Sequence, residues 1–198
     1  MRTPKLLVTL IVVGMAMTGC AAQTADPSTD VPALDRAPIV DLLPAHSAID
    51  RALGRDLPYT QEPREIVLTS DSNQPSDGTV CDLSEYTSGH PNASLAGQVI
   101  VGAPKETVGI EVFRFSDLGS ATKYMKTVST LQDECALQKK SGITSWSTRE
   151  SDFTAWQEGG QPHSAFQRGA IVGYVFATAE EDAAKITKLL SDTMADFK

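Results

Sequence analysis

The chain has 198 residues, 41% of them hydrophobic and 6% aromatic, and its 25 acidic side chains outnumber 17 basic ones for a formal net charge of −8. That length makes one domain the default, and an acidic balance of this size argues against nucleic acid as a partner and against electrostatic docking on anionic lipid.

The first twenty residues have the order of an export signal: Arg2 and Lys5 give a basic start, Leu6 to Met17 an apolar stretch, and small residues precede Cys20. An apolar run of about a dozen residues is well short of the ~20 needed for a membrane-spanning helix, so cleavage is expected. Met17-Thr18-Gly19-Cys20 resembles the lipobox of bacterial lipoproteins. The resemblance implies that Cys20 receives diacylglycerol, becomes the N-terminus after cleavage and anchors the chain by acyl chains worth ~0.8 kcal/mol per buried methylene. The alternative is ordinary secretion, with Cys20 just inside a conventional signal. Residues 1–19 are thus read as signal peptide, and their removal leaves 15 basic against 25 acidic residues.

With Cys20 committed to lipid, Cys81 and Cys135 remain as a pair in an oxidising compartment and are expected to form a disulfide. It would close a loop of about 55 residues, worth roughly 4 kcal/mol in the chain-entropy model. Free thiols or a metal site are the alternatives. No C-x-x-C occurs, and His46, His90 and His163 are not at ligand spacing from either cysteine or from one another, so neither metal nor cofactor is expected.

Residues 20–36 read as the lipidated cysteine and a disordered tether, small, polar and broken by Pro27 and Pro32. Residues 37–198 read as one domain. It opens with an amphipathic helix marked by Leu42, Leu43, Ile49 and Leu53, with Pro44 in its first turn and Gly54 at its end. A strand at Arg64 to Ser70, a polar loop at Asp71 to Gly78 and a short strand carrying Cys81 and Leu83 come next. Gly97 to Val101 and Val108 to Phe115 form a predicted antiparallel hairpin. Asp117 caps a helix whose stripe is Leu118, Ala121, Met125, Val128, Leu131 and Cys135, which puts Cys135 on the buried face. Further strands are expected at Ile143 to Arg149, Phe153 to Glu158, His163 to Arg168 and Ala170 to Thr178, with Gly159-Gly160 as a turn. A closing helix spans Glu180 to Phe197, its acids at the start and Ile186, Leu189, Leu190, Met194 and Phe197 on one side. This order predicts an α+β domain, an antiparallel sheet with helices packed mainly on one face.

Four features together resemble the extracellular PknH-like domain family, named after a mycobacterial receptor kinase and found also in small actinobacterial lipoproteins. They are Leu42-Leu43-Pro44 running through Ile49 to Leu53-Gly54, Val112-Phe113-Arg114-Phe115 leading to Ala121, the Cys81 and Cys135 pair, and Phe166-Gln167-Arg168 before an apolar strand and a closing helix. Family members often carry a second disulfide; Phe166 stands here where one of its cysteines would be expected, which implies a divergent relative with one bridge. The resemblance implies an extracytoplasmic sensor or ligand-binding module with a cleft, whose signal passes through a partner.

No G-x-S-x-G, H-E-x-x-H or phosphate-cradling glycine loop is present. Glu180-Glu181-Asp182 complements a helix N-terminus, and the three histidines read as ordinary local residues. Trp146 and Trp156, on neighbouring predicted strands, could floor a cleft for an apolar or sugar ligand with Arg149 and Gln157 beside them, against the plainer reading that the indoles pack in the core. The leading expectation is a non-catalytic, lipid-anchored domain on the outer face of the cytoplasmic membrane that binds an envelope ligand or protein. A hydrolase whose Ser, His and Asp are assembled only by folding, and a structural accessory of the envelope, are the alternatives.

Overall fold

The computed structural model describes residues 33–68, 83–88, 92–103, 105–137 and 142–197. Cys20, Cys81, His90 and the Asp71 to Gly78 loop lie outside these residues. Residues 33–36, read from sequence as the end of the tether, instead form a short helix, α1 (Ala33–Arg36), that belongs to the domain. Leu34 is buried in the core, and the Asp35 carboxylate accepts a hydrogen bond from the Ala170 amide at 3.2 Å.

The expected opening helix is two elements. A 3-10 turn (Ile39–Leu42) buries Ile39 and Leu42, and α2 (His46–Leu53) follows. Pro44 causes the break, because its ring pushes the preceding residue out of the helical region, and Leu43 is accordingly extended at ψ 136°. Gly54 ends α2 as expected, at φ 72° with its amide bonded to the Asp50 carbonyl.

Strand β1 (Tyr59–Val67) starts earlier than expected and lies at the sheet edge, where Pro63 needs no ladder partner for its missing N–H and the register shifts. Where a strand was expected to carry Leu83, the chain forms helix α3 (Leu83–Ser88). Leu83 is buried, and Tyr86 stacks on Tyr124, so the apolar residues follow a helical step. Strands β2 (Leu95–Ala103) and β3 (Glu106–Arg114) form the predicted hairpin.

Helix α4 (Leu118–Leu137) is capped by Asp117, whose carboxylate accepts from the Ser120 amide at 2.7 Å. That bond, with those from the Ser116 and Ser120 hydroxyls, holds the Asp117 carboxyl below its usual range. The buried face is Ala121, Tyr124, Met125, Val128, Gln132 and Cys135; Leu118, expected there, is 60% exposed. Cys135 is disulfide-bonded.

Residues 143–149 do not form the expected strand. Among the described residues, their backbone joins the ladder at a single bridge, Thr144 to Gln157. Strands β4 (Phe153–Glu158), β5 (Gln161–Arg168) and β6 (Ile171–Ala177) follow, with Gly159 and Gly160 at φ 59° and 82° in the predicted turn. Helix α5 (Glu180–Ala195) closes the domain.

The six strands make one antiparallel sheet in the order β1-β2-β3-β6-β5-β4, two meanders joined side by side at β3 and β6. The α+β class and the antiparallel sheet are as the sequence predicts, but helices cover both faces where mainly one was expected. The 3-10 turn, α2 and α5 pack over Val99, Ile110, Val112 and Val175, whereas α4 packs over Phe113, Trp156, Val172 and Tyr174. The alternation of side chains along a strand requires this, since Val112 and Phe113, or Tyr174 and Val175, point to opposite faces and both are fully or almost fully buried.

Candidate functional site

Between α5, which packs on β5 and β6, and the edge strand β4, a cavity of ≈ 360 Å³ opens on the α5 face. Trp146 forms one wall. It stands in the segment between α4 and β4, which is tied down by reciprocal backbone bonds between Thr144 and Gln157 at 3.2 and 2.7 Å. Its indole N–H donates to the carbonyls of Trp156 and His163, both at 2.9 Å, so the ring is fixed in orientation and its polar atom is already used. With its one polar atom used, what the indole can offer the cavity is apolar ring surface.

Phe153 and Phe166 are direct neighbours across β4 and β5 and line the floor. Phe166 lies over Gly173 of β6, where an added Cβ would sit 2.6 Å from the ring; any larger residue would push the phenyl group away. Arg168, two residues further on the same face, is held by the Asp152 carboxylate at 3.4 Å and the Ser191 hydroxyl at 3.2 Å. From α5, Lys188 reaches the cavity and pairs with Asp192 at 2.5 Å. Aromatic side chains are thus bordered by ion-paired donors and acceptors of both signs. Such a lining suits a ligand with apolar faces and many hydroxyls, as a sugar has.

The four ligand-binding candidates read from sequence do not converge. Trp146 lines the cavity. Trp156 is fully buried on the opposite face, stacked on His163 with ring centroids 5.3 Å apart and near Tyr174 at 6.1 Å, so it floors no cleft. The cause is strand alternation: Trp156 is three residues beyond Phe153 and therefore faces α4. Arg149 pairs with Asp133 of α4 at 2.7 Å, and the Gln157 amide donates to Glu180 at 3.2 Å; neither lines the cavity.

Phe153, Phe166, Arg168 and Lys188 were missed as site residues because three separate elements bring them together. One signal was available. Ala184, Thr187, Lys188 and Ser191 recur at helical steps on α5 as a second stripe beside the buried Ala183, Ile186, Leu190 and Met194. Thr187 also anchors the helix, since its hydroxyl meets that of Ser164 at 2.6 Å. On the other side, the Arg55 guanidinium grips Asp182 of α5 at 3.1 and 2.5 Å; that bond, opposed by desolvation, raises its already high pKa.

No protein-family model matches the sequence, and no curated protein matches it at a significant level. Among solved structures, the extracellular domain of PknH from Mycobacterium tuberculosis is a distant structural match. It has a TM-score of 0.49 and 16% sequence identity, over 78% of this chain and 95% of that one. Among the described residues, no helix is long and apolar enough to cross a membrane.

Proposed function

We propose that the chain is a lipoprotein anchored through Cys20 to the outer face of the cytoplasmic membrane, with a divergent PknH-like domain that binds an envelope ligand in the Trp146 cavity without catalysing a reaction on it. The address rests on the basic start, the short apolar run and the lipobox-like Met17-Thr18-Gly19-Cys20; the family reading rests on the ordered sequence features around Leu42, Val112, Phe166 and the Cys81 and Cys135 pair. One observation carries the ligand reading: Trp146 lines the cavity with its indole N–H taken up by two backbone carbonyls, next to Phe153, Phe166, and Arg168 and Lys188 with their carboxylate partners. Aromatic faces stack on the apolar faces of a sugar, and an oriented guanidinium and carboxylates bond to its hydroxyls. Envelope glycans are the proposed ligand class.

Intrinsic fluorescence tests this directly, because Trp156 is fully buried and Trp146 is the tryptophan at the cavity. Titrating the detergent-solubilised mature chain with envelope glycan fragments should give a saturable change in emission. Trp146→Phe should remove the signal, and Trp146→Ala should weaken binding measured by calorimetry at least tenfold. No saturable response across a broad glycan set, or binding indifferent to Trp146→Ala, overturns the reading and favours a protein partner.

A further inference from the structure

We propose a second, independent site: a divalent transition-metal site, best matched to zinc, formed by His46, Asp50 and Asp56. One donor atom from each residue lies within 4.8 Å of the other two. His46 and Asp50 are one helical turn apart on α2, and Asp56 comes from the loop that follows, so eleven residues of chain bring the set together.

The backbone of a single residue orients two of the three donors. The His46 Nε2 atom lies 2.6 Å from the Leu57 carbonyl, which can only accept, so Nε2 carries a proton and donates it. In the neutral ring, Nδ1 then presents its lone pair. The Leu57 amide, for its part, donates to Asp50 Oδ1 at 3.2 Å, leaving Oδ2 directed toward that lone pair. Tyr59 stacks on the imidazole, ring centroids 4.2 Å apart, and fixes the plane of the ring. A histidine whose second nitrogen donates to a backbone carbonyl is the usual arrangement of a metal ligand, because that bond selects the tautomer and aims the free nitrogen.

The remaining gap fits a cation better than a proton. Nδ1 and Oδ2 are 3.7 Å apart, longer than a hydrogen bond bridges. Zinc bonds to nitrogen and oxygen of ~2.0–2.1 Å would span that distance at an angle of about 125–130°. Asp56 is exposed and has the freedom to swing its carboxylate in as a third ligand, which leaves room for water or a group from a ligand. One imidazole with two carboxylates suits zinc and its first-row neighbours, whereas magnesium and calcium prefer sites made wholly of oxygen.

Calorimetric titration of the detergent-solubilised full chain, first stripped with chelator, tests the site with ZnCl2 and with MgCl2 and CaCl2 as comparators. One equivalent of zinc should bind, more tightly than either comparator, and His46→Gln and Asp56→Asn should each weaken it at least tenfold. At zinc a hundredfold above Kd, the midpoint of thermal unfolding should rise by roughly 5–10 °C in the wild type and stay put in Asp56→Asn. Because Asp56 is exposed, that variant should match the wild-type midpoint in chelator, so a lost response there is lost binding and not lost fold. Absence of zinc binding below ~1 mM, or binding unchanged by both substitutions, overturns the site and leaves His46 and Asp50 as a surface pair one turn apart. The outcome is independent of the Trp146 cavity, to which none of these residues contributes.

Discussion

Among the described residues, the buried hydrophobic side chains on the α5 face of the sheet are Leu, Ile, Val, Ala and Met with Phe166 as the one buried ring, whereas the α4 face buries Phe113, Phe115, Tyr124, Trp156 and Tyr174. Both faces bury polar groups, the α5 face Ser164, Thr187 and the Arg55-paired Asp182, the α4 face a larger set. Beside α4 lie buried Glu111, Gln132, Thr154 and His163, joined by bonds such as Gln132 to the Ala155 carbonyl at 3.1 Å, and Tyr174 to His163 at 2.7 Å. The Trp156 indole nitrogen and the Tyr124 hydroxyl are buried there without a hydrogen-bond partner among the described residues. Aliphatic burial is non-directional and stabilises by area, while each polar handle on a buried ring must find a partner or cost free energy. Both candidate sites sit at the rim of the simpler, aliphatic face. The aromatic and polar residues that attract attention in the sequence mostly serve the fold on the other.

The sharpest way to break this comparison is through Cys135, because a disulfide reinforces only the α4 face among the described residues. If its partner is Cys81, as proposed, Cys135→Ser should lower stability in guanidinium melts by roughly 4 kcal/mol, the value for a loop of about 55 residues. Peptide mapping without reductant should recover the Cys81 and Cys135 peptides joined. Equal stability with and without reductant would show that burial alone sustains both faces. On the α5 face, Leu190→Ala should cost about 3 kcal/mol in the same melts, the usual range for emptying a fully buried leucine site. It should also loosen the cavity, since Leu190 packs against Gly173 on the same side as Phe166. Leu190→Met should cost well under half as much, because a core stabilised by area tolerates conserved volume.

How far the sequence reveals the molecule follows from the same division. The hairpin of β2 and β3, the Gly159-Gly160 turn and α5 are legible because local pattern and tertiary burial agree there. Pro44 is legible as a residue, but its effect, a restriction of Leu43 that splits the opening helix, shows only in the fold. The stretch Ile143 to Arg149 has a strand's composition, yet Trp146 donates its side-chain N–H to sheet carbonyls and the chain leaves the ladder after Thr144. Composition does not encode that choice. Trp146 could be singled out from sequence by its rarity, but its separation from Trp156 could not, because the face each indole takes depends on strand register. The His46 and Asp50 pair does show its helical spacing, and only the fold adds Asp56 and the orienting backbone of Leu57.

The finest test compares two tyrosines on the α4 face. Tyr174 and Tyr124 are both almost wholly buried, and the ring of each packs against Phe113. Removing the Tyr174 hydroxyl deletes its bond to His163, so Tyr174→Phe should cost about 1–2 kcal/mol. Removing the Tyr124 hydroxyl deletes a group that burial, more than its neighbours Tyr86, Tyr174 and Glu111, already penalises when charged and holds well above the ordinary tyrosine range. With no partner to lose, Tyr124→Phe should be neutral or stabilising by up to about 1 kcal/mol, since it relieves an unmet desolvation cost. The contrast between the two variants isolates hydrogen bonding from ring packing, because both keep the phenyl group in place. If Tyr124→Phe instead costs as much as Tyr174→Phe, its hydroxyl has a partner in solution, and of the two groups only the Trp156 indole nitrogen is left unmet on the α4 face among the described residues.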